Sequence, residues 1–212
     1  ATGACAIHCR YCFRRHYPYG DENAIRHWDG MLDTLRKRTD IEEVILSGGD
    51  PLSLSDTRLQ NLIEELHAIP HLQRLRIHSR LPLVLPARIT SRLVQMLASS
   101  RFSVSMVLHG NHPNELHESL RHPLFSLHQA GVVLLNQAVL LAGVNDTVET
   151  QVALSKRLIN FQILPYYLHL LDPVAGAAHF AVPDQLPAQI ELGLRDQLPG
   201  YLVPRIVREI AG

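Results

Sequence analysis

With 212 residues, 46% of them hydrophobic and 19% charged, the chain has an ordinary globular composition and enough length for one domain with a sizeable core. Twenty basic residues balance twenty acidic ones, with no basic block or acidic tail, which argues against a nucleic-acid groove. No apolar run approaches the ~18 residues of a membrane span, so nothing in the sequence calls for a membrane.

The chain reaches its only three cysteines almost at once, in Cys5-Ala6-Ile7-His8-Cys9-Arg10-Tyr11-Cys12. A short loop with this CxxxCxxC spacing can wrap three sulfurs around one face of a cube. A 4Fe–4S cluster has four corner irons, each suited to a soft thiolate. Three cysteines leave one iron open, ready for a ligand with an amino and a carboxylate group. S-adenosylmethionine fits that corner, where an electron from the cluster would cleave its sulfonium to a 5′-deoxyadenosyl radical. A structural zinc is the alternative, and it would need His8 or His16 to complete a Cys3His set. A disulfide framework does not suit an odd number of cysteines in a chain without a secretory signal. The cluster implies a reducing cytoplasm.

Both ends read as cut. A cysteine loop of this kind should follow a strand, yet only Ala1-Thr2-Gly3-Ala4 precedes it, and the chain stops at Ile210-Ala211-Gly212 directly after an apolar stretch. Residues 1–212 are therefore expected to be one core domain from the middle of a longer protein. Beyond the loop, Ala24 to Arg38 has helical character, and a β-rich run, Val44 to Leu46, closes on Ser47-Gly48-Gly49-Asp50-Pro51. Leu59, Leu62, Ile63 and Leu66 fall at i, i+3, i+4 and i+7, which predicts a helix after Ser55. Further β-rich runs lie at Leu75–Ile77, Ser103–Leu108, Val132–Leu135 and Ile163–Leu168. Helical stretches over Thr90–Ala98, Asn114–Ala130 and Thr147–Phe161 separate them.

Successive strands start roughly 30 residues apart, the length of a βα unit. Such alternation indicates an α/β fold with a parallel sheet covered by helices. An open doubly wound sheet is one solution. A barrel or partial barrel fits better, because polar residues follow strand after strand: Ser47 to Asp50, His78-Ser79-Arg80, His109, Asn136-Gln137, and His169 with Asp172. That is the face on which βα barrels build their sites. Any one of these residues alone would read as a loop residue bonding locally, and Asp50 as an ordinary turn residue before Pro51. Only two of the twenty basic residues are lysines, Lys37 and Lys156, and both fall in expected helices away from the strand ends. Neither predicts a Schiff-base anchor.

The cysteine loop, with Tyr11 before its last cysteine, resembles the radical S-adenosylmethionine superfamily. The downstream sequence narrows the likeness. Cys-Arg-Tyr-Cys-Phe-Arg-Arg-His (9–16), Ser-Gly-Gly-Asp-Pro-Leu (47–52), Leu-Arg-Ile-His-Ser-Arg (75–80), Asn-His-Pro-Asn-Glu (111–115) and Leu-Asn-Gln (135–137) are similar to lysine 2,3-aminomutases. Pro165 to His169 and Gly176-Ala177-Ala178-His179-Phe180 extend the match across the chain. The bacterial branch that makes (R)-β-lysine for modification of elongation factor P, with a separate lysyl ligase downstream, is the most similar.

The resemblance implies a partial (β/α) barrel of the radical SAM type and an isomerase that converts L-lysine to β-lysine. Its cofactors would be a 4Fe–4S cluster, S-adenosylmethionine and pyridoxal phosphate, and a homo-oligomer is compatible with it. Another amino acid, such as glutamate, is the alternative substrate. Cys5, Cys9 and Cys12 would hold the cluster, with Tyr11 near the cofactor adenine or simply a packed aromatic. Ser47, Gly48, Gly49 and Asp50 resemble the segment that receives the methionine amino group, since adjacent glycines let a ligand approach closely. Gln137 and His109 match further cofactor positions, and Ser79 and Arg80 are candidates for the methionine carboxylate. Arg14 matches a substrate-carboxylate ligand, a task suited to a guanidinium fork. Asp172 would hold the substrate's distal ammonium, unless it caps the next turn. Glu209 falls where related enzymes carry a second acidic residue, often aspartate. The pyridoxal lysine would lie a few residues beyond Gly212, and some phosphate-binding arginines upstream of Ala1.

Overall fold

The computed structural model describes residues 1–14 and 28–209; His16, residues 24–27 of the expected first helix, and residues 210–212 lie outside the described residues. Helix α1 (Trp28–Lys37) leads into strand β1 (Glu43–Leu46), and the chain then alternates. Helix α2 (Asp56–His67) precedes β2 (Arg74–Ser79); a short α3 (Leu81–Val84) and α4 (Ser91–Ala98) precede β3 (Ser103–Leu108). Then follow α5 (Arg121–Gln129), β4 (Val133–Val139), α6 (Val148–Asn160), β5 (Leu164–His169), α7 (Leu186–Gln197) and β6 (Arg205–Val207).

Side-chain caps fix where three of the helices begin. The hydroxyls of Ser55, Thr90 and Thr147 accept the backbone N–H groups of Arg58, Leu93 and Thr150, satisfying donors that a helix start leaves unpaired. The stretch expected as one helix over 114–130 is broken instead. It forms two 3-10 turns, Pro113–Glu115 and Glu118–Leu120, and becomes α-helical only from Arg121. Pro123 explains the delay, because it has no N–H to give and its ring excludes the carbonyl four residues back, so it fits only a first turn.

Among the described residues all six strands are parallel and pair in chain order, β1-β2-β3-β4-β5-β6. A doubly wound sheet reverses its order at a switch point; this one does not, and right-handed crossovers then place the helices on one face. Among the described residues no pairing joins β6 back to β1, so the sheet is a partial barrel. Leu75, Ile77, Val104, Met106, Leu108, Leu134 and Ala138 bury that face against Leu59 and Ile63 of α2, Leu93 of α4, Leu124 of α5, Leu158 of α6 and Ile190 of α7. Burying each large aliphatic side chain contributes roughly 1.5–3 kcal/mol.

The intervening residues look the other way, as a period of two requires. On β2 these are Arg76 and His78, and on β4 Gln137 and Val139. One extra residue on β5 shifts its register, so that Asn136 pairs with Pro165 but Gln137 with Tyr167 and Val139 with His169. Without that shift the alternation would put Leu168 rather than His169 on the face of Gln137. Among the described residues no helix is long and apolar enough to cross a membrane.

Candidate active site

The carboxyl ends of the strands and the cysteine loop enclose a cavity of about 430 Å³. Every residue to which the resemblance gives a role lines it: Cys5, Cys9, Tyr11, Cys12 and Arg14 from the loop, Ser47 to Asp50 after β1, and Ser79 and Arg80 after β2. His109, Gln137, Asp172 and Glu209 complete the set.

The loop is seated by the chain before it. Thr2 forms a parallel bridge with Gly48, the Gly49 N–H donates to the Thr2 carbonyl at 2.7 Å, and the Asp50 N–H to the Ala4 carbonyl at 2.9 Å. This extended segment therefore runs beside the end of β1, as a strand feeding the loop would. A Cβ on Gly49 would lie 2.3 Å from the Ala4 oxygen, so glycine there is demanded by the protein's own backbone rather than by a ligand. Gly48 adopts φ 115°, a conformation that favours glycine.

Asp50 does more for the scaffold than the sequence suggests. One carboxylate oxygen accepts from the Leu52 N–H at 3.0 Å and the Ser79 hydroxyl at 2.7 Å; the other accepts from the Arg80 and Leu81 N–H groups at 2.9 and 3.0 Å. The carboxylate thus staples the end of β1 to the end of β2. Ser79, 1% exposed, also accepts from the Leu81 N–H. Its hydroxyl and the Asp50 lone pairs are committed inside the protein, which removes the simplest reason to expect them on a bound methionine. Arg80 is similarly engaged, donating to the Tyr11 hydroxyl, the His109 carbonyl and Glu115.

Three free thiols face this space. Burial pushes the Cys5 thiol up, aided by the charges of Asp50 and the other two cysteines; burial also raises Cys9, against the pull of Arg80 and Tyr11. Thiols whose thiolates would repel one another are suited to a strongly cationic guest. Among the described residues no group of His, Cys, Asp or Glu converges as a single-ion site would. A 4Fe–4S cluster does not ask for that convergence, because each thiolate takes a different iron. The donor set therefore fits a cluster better than one zinc ion. Arg10, inside the loop, stacks over Phe180 at 5.2 Å and lies 3.1 Å from His179, which brings the Gly176–Phe180 motif against the loop.

Deeper in, His78 and His109 meet edge to face, Nδ1 of His78 lying 3.3 Å from Nε2 of His109. Burial, then the neighbouring imidazole, holds His78 down to about 3; burial, then Arg80, holds His109 down to about 4. Both are neutral near pH 7. Nε2 of His78 and Nε2 of His169 are buried and find no partner among the described residues. At the β5 end, burial and the charge of Glu209 push the Asp172 carboxyl up, while burial lowers His169. Arg14 enters from the opposite side, its Nη1 donating to the Ser47 hydroxyl at 2.8 Å. Lys37 and Lys156 stand exposed on α1 and α6 and do not line the cavity.

Sequence reasoning assigned no role to His78, Asn111, Glu115 or Asn145. The Asn145 side chain accepts from the Leu141 N–H and donates to the Asn111 and Val139 carbonyls, locking the loops after β3 and β4 together. Asparagines at loop entries are too common for spacing to single these out. His78 did stand at a strand end, and the period of two was the signal that it faces inward.

A motif of three cysteines at the mouth of a six-stranded parallel partial barrel defines a class. The model of the Radical SAM superfamily matches residues 1–124, and the chain belongs to that superfamily. Within it, the chain is 52% identical over 214 residues to the L-lysine 2,3-aminomutase of Haemophilus influenzae, covering 100% of this chain and 63% of that protein. It is 49% identical over 211 residues to the L-lysine 2,3-aminomutase of Escherichia coli, covering 99% and 62%. The chain thus spans a little over three fifths of the length of these curated relatives. Its fold is similar to that of Streptococcus suis SuiB bound to S-adenosylmethionine, with a TM-score of 0.64 at 17% identity over 98% of this chain and 48% of that one.

Proposed function

We propose that the full-length protein is an L-lysine 2,3-aminomutase, converting L-lysine to β-lysine by radical migration of the amino group. Cys5, Cys9 and Cys12 hold a 4Fe–4S cluster, and His109 and Gln137 contribute to the S-adenosylmethionine site. When bound, cluster and S-adenosylmethionine together supply a carbon radical by one-electron cleavage of the sulfonium. The role of this chain's residues is to orient the substrate beneath that radical and keep water out.

The observation that carries the substrate assignment is the charge layout of one cavity. Arg14 offers a cation at the loop end, suited to an α-carboxylate. Asp172 and Glu209 share the other end, where burial, and then the neighbouring charge of Glu209, leave Asp172 with a raised pKa. A distal ammonium placed between two carboxylates would relieve their repulsion. Glutamate would worsen it. Pyridoxal phosphate belongs to the proposal through the sequence resemblance, but neither Lys37 nor Lys156 reaches the cavity, so no step through that group is derived from these residues. Use of (R)-β-lysine on elongation factor P likewise rests on the resemblance.

The test compares L-lysine with L-norleucine, which has the same chain without the terminal amine, using the reconstituted full-length protein. Lysine should rearrange and norleucine should not. Asp172→Asn should weaken lysine binding on the order of tenfold, the scale of one partly screened ion pair, while slow S-adenosylmethionine cleavage persists. Equal turnover of norleucine, or unchanged lysine affinity in the variant, would refute the assignment.

A further inference from the structure

A neutral imidazole has one hydrogen for two nitrogens, and the bond made at one nitrogen decides what the other presents. His78 and His109 meet on the inner face of the sheet. His78 pairs in register with Val107, and His109 follows two residues later on the same side. Their rings stand edge to face, 5.5 Å between centroids, with Nδ1 of His78 3.3 Å from Nε2 of His109. Among the described residues that is the only hydrogen bond either ring makes. An aliphatic pair would fill the same space without leaving a buried nitrogen unmet, so packing alone does not account for two histidines here.

Two arrangements satisfy the contact between neutral rings. In one, His109 donates from Nε2, and His78 then carries its hydrogen on its own Nε2, a buried N–H with no acceptor among the described residues. In the other, His78 donates from Nδ1 and keeps a bare lone pair on Nε2. The permanent charges that act on His78 are the guanidinium groups of Arg76 and Arg14. Positive charge favours a lone pair over the positive end of an N–H. Orphaned buried N–H groups are also rarer than under-satisfied acceptors. The second arrangement is therefore favoured, and it puts the hydrogen of His109 on Nδ1. Both rings line the same cavity as Gln137, so that N–H is a donor available to a guest.

We propose that His78 is a positioning residue, donating from Nδ1 to Nε2 of His109 and so holding His109 in the Nδ1–H form, ready to donate to an acceptor atom of S-adenosylmethionine. This rests on the reading that His109 contributes to the S-adenosylmethionine site. His78 itself need not touch the cofactor. It selects which nitrogen of His109 carries the hydrogen and fixes the plane of the ring.

The test has two readouts on the reconstituted full-length protein. The first is equilibrium binding of S-adenosylmethionine without reductant, so that nothing turns over. His78→Leu should weaken binding on the order of tenfold, the scale of one hydrogen bond. His78→Asn, whose side-chain NH2 can stand where Nδ1 stood, should restore most of that loss. His109→Leu should lose at least as much as His78→Leu, and the double variant should be no worse than His109→Leu, because His78 acts through His109. The second readout is nitrogen NMR of histidine-labelled protein without S-adenosylmethionine, with the His109 signals assigned from His109→Leu. Wild-type His109 should carry its hydrogen on Nδ1, and His78→Leu should lose that single form. Wild-type affinity in His78→Leu beside weakened His109→Leu would overturn this proposal alone. Wild-type affinity in both would overturn it together with the reading of His109 as a cofactor residue. Should His78→Leu fail to fold, the wild-type spectrum decides, and a hydrogen on Nε2 of His109 would overturn the proposal.

Discussion

Asp50 separates two accounts of the Ser-Gly-Gly-Asp motif, and Asp50→Asn tests them. The substitution keeps the shape and removes the charge. If the new amide oxygen stays on the Arg80 and Leu81 N–H groups, its NH2 faces the Leu52 N–H, which sits in a residue 1% exposed. One buried donor without an acceptor costs about 1–3 kcal/mol, and the bonds to Ser79, Arg80 and Leu81 each lose about 1 kcal/mol on becoming neutral. Losing the charge also relieves some desolvation of the carboxylate, so the net expectation is about 3 kcal/mol. Urea unfolding of the full-length apoprotein should show this as a midpoint lower by about 1 M or more at unchanged slope. If the residue served only to receive an ammonium, stability would be untouched and S-adenosylmethionine affinity alone would fall. A loss below about 1 kcal/mol, the ordinary net worth of one neutral hydrogen bond, would refute the staple.

Cys9→Ala should remove a cluster ligand, and anaerobic reconstitution should then give low iron content and no 5′-deoxyadenosine; normal iron with wild-type cleavage would contradict the ligand set. Gly49→Ala forces a methyl into the Ala4 carbonyl, and overpacking of this kind costs about 1–3 kcal/mol, so the loop should be displaced and cluster uptake reduced while helix content is kept. Normal uptake would show that the close approach is dispensable. His78 and His109 titrate at about 3 and 4 in the folded protein, below the ordinary 6.5. The unfolded chain therefore binds more protons as pH falls, and stability that is complete above pH 6.5 is lost toward pH 4, by about 1.4 kcal/mol per pH unit for His109. Thermal unfolding of the apoprotein between pH 7 and 4.5 should be less pH-dependent in His78→Gln/His109→Gln than in the wild type; equal slopes would reject the neutral pair.

Much of this architecture is written locally. The strand spacing, the caps at Ser55, Thr90 and Thr147, and the polar residues closing each strand all act within a few positions, and each lies where its own chemistry put it. Elements governed by distant partners are harder to read. Strand β6 has three residues after Pro204, too few for a period. Helix α7 carries an apolar signal at Leu186, Ile190 and Leu194, but Pro187 and Gly193 dilute it. The site follows the same division. Cysteine spacing alone suggests the proposed cluster, whereas the commitments of Asp50, Ser79 and Arg80 depend on strands brought together from positions about 30 residues apart. A residue type that suits a ligand equally suits a staple, and only the fold reveals whether its lone pairs are already engaged.

The most direct measurement uses full-length protein reconstituted without oxygen and supplied with S-adenosylmethionine, pyridoxal phosphate, dithionite and L-lysine, with β-lysine and 5′-deoxyadenosine counted by mass spectrometry. β-Lysine should far exceed 5′-deoxyadenosine, because the cofactor is regenerated in each cycle. 5′-Deoxyadenosine without β-lysine would keep the radical site and contradict the lysine assignment, and neither product from cluster-loaded protein would contradict the account as a whole.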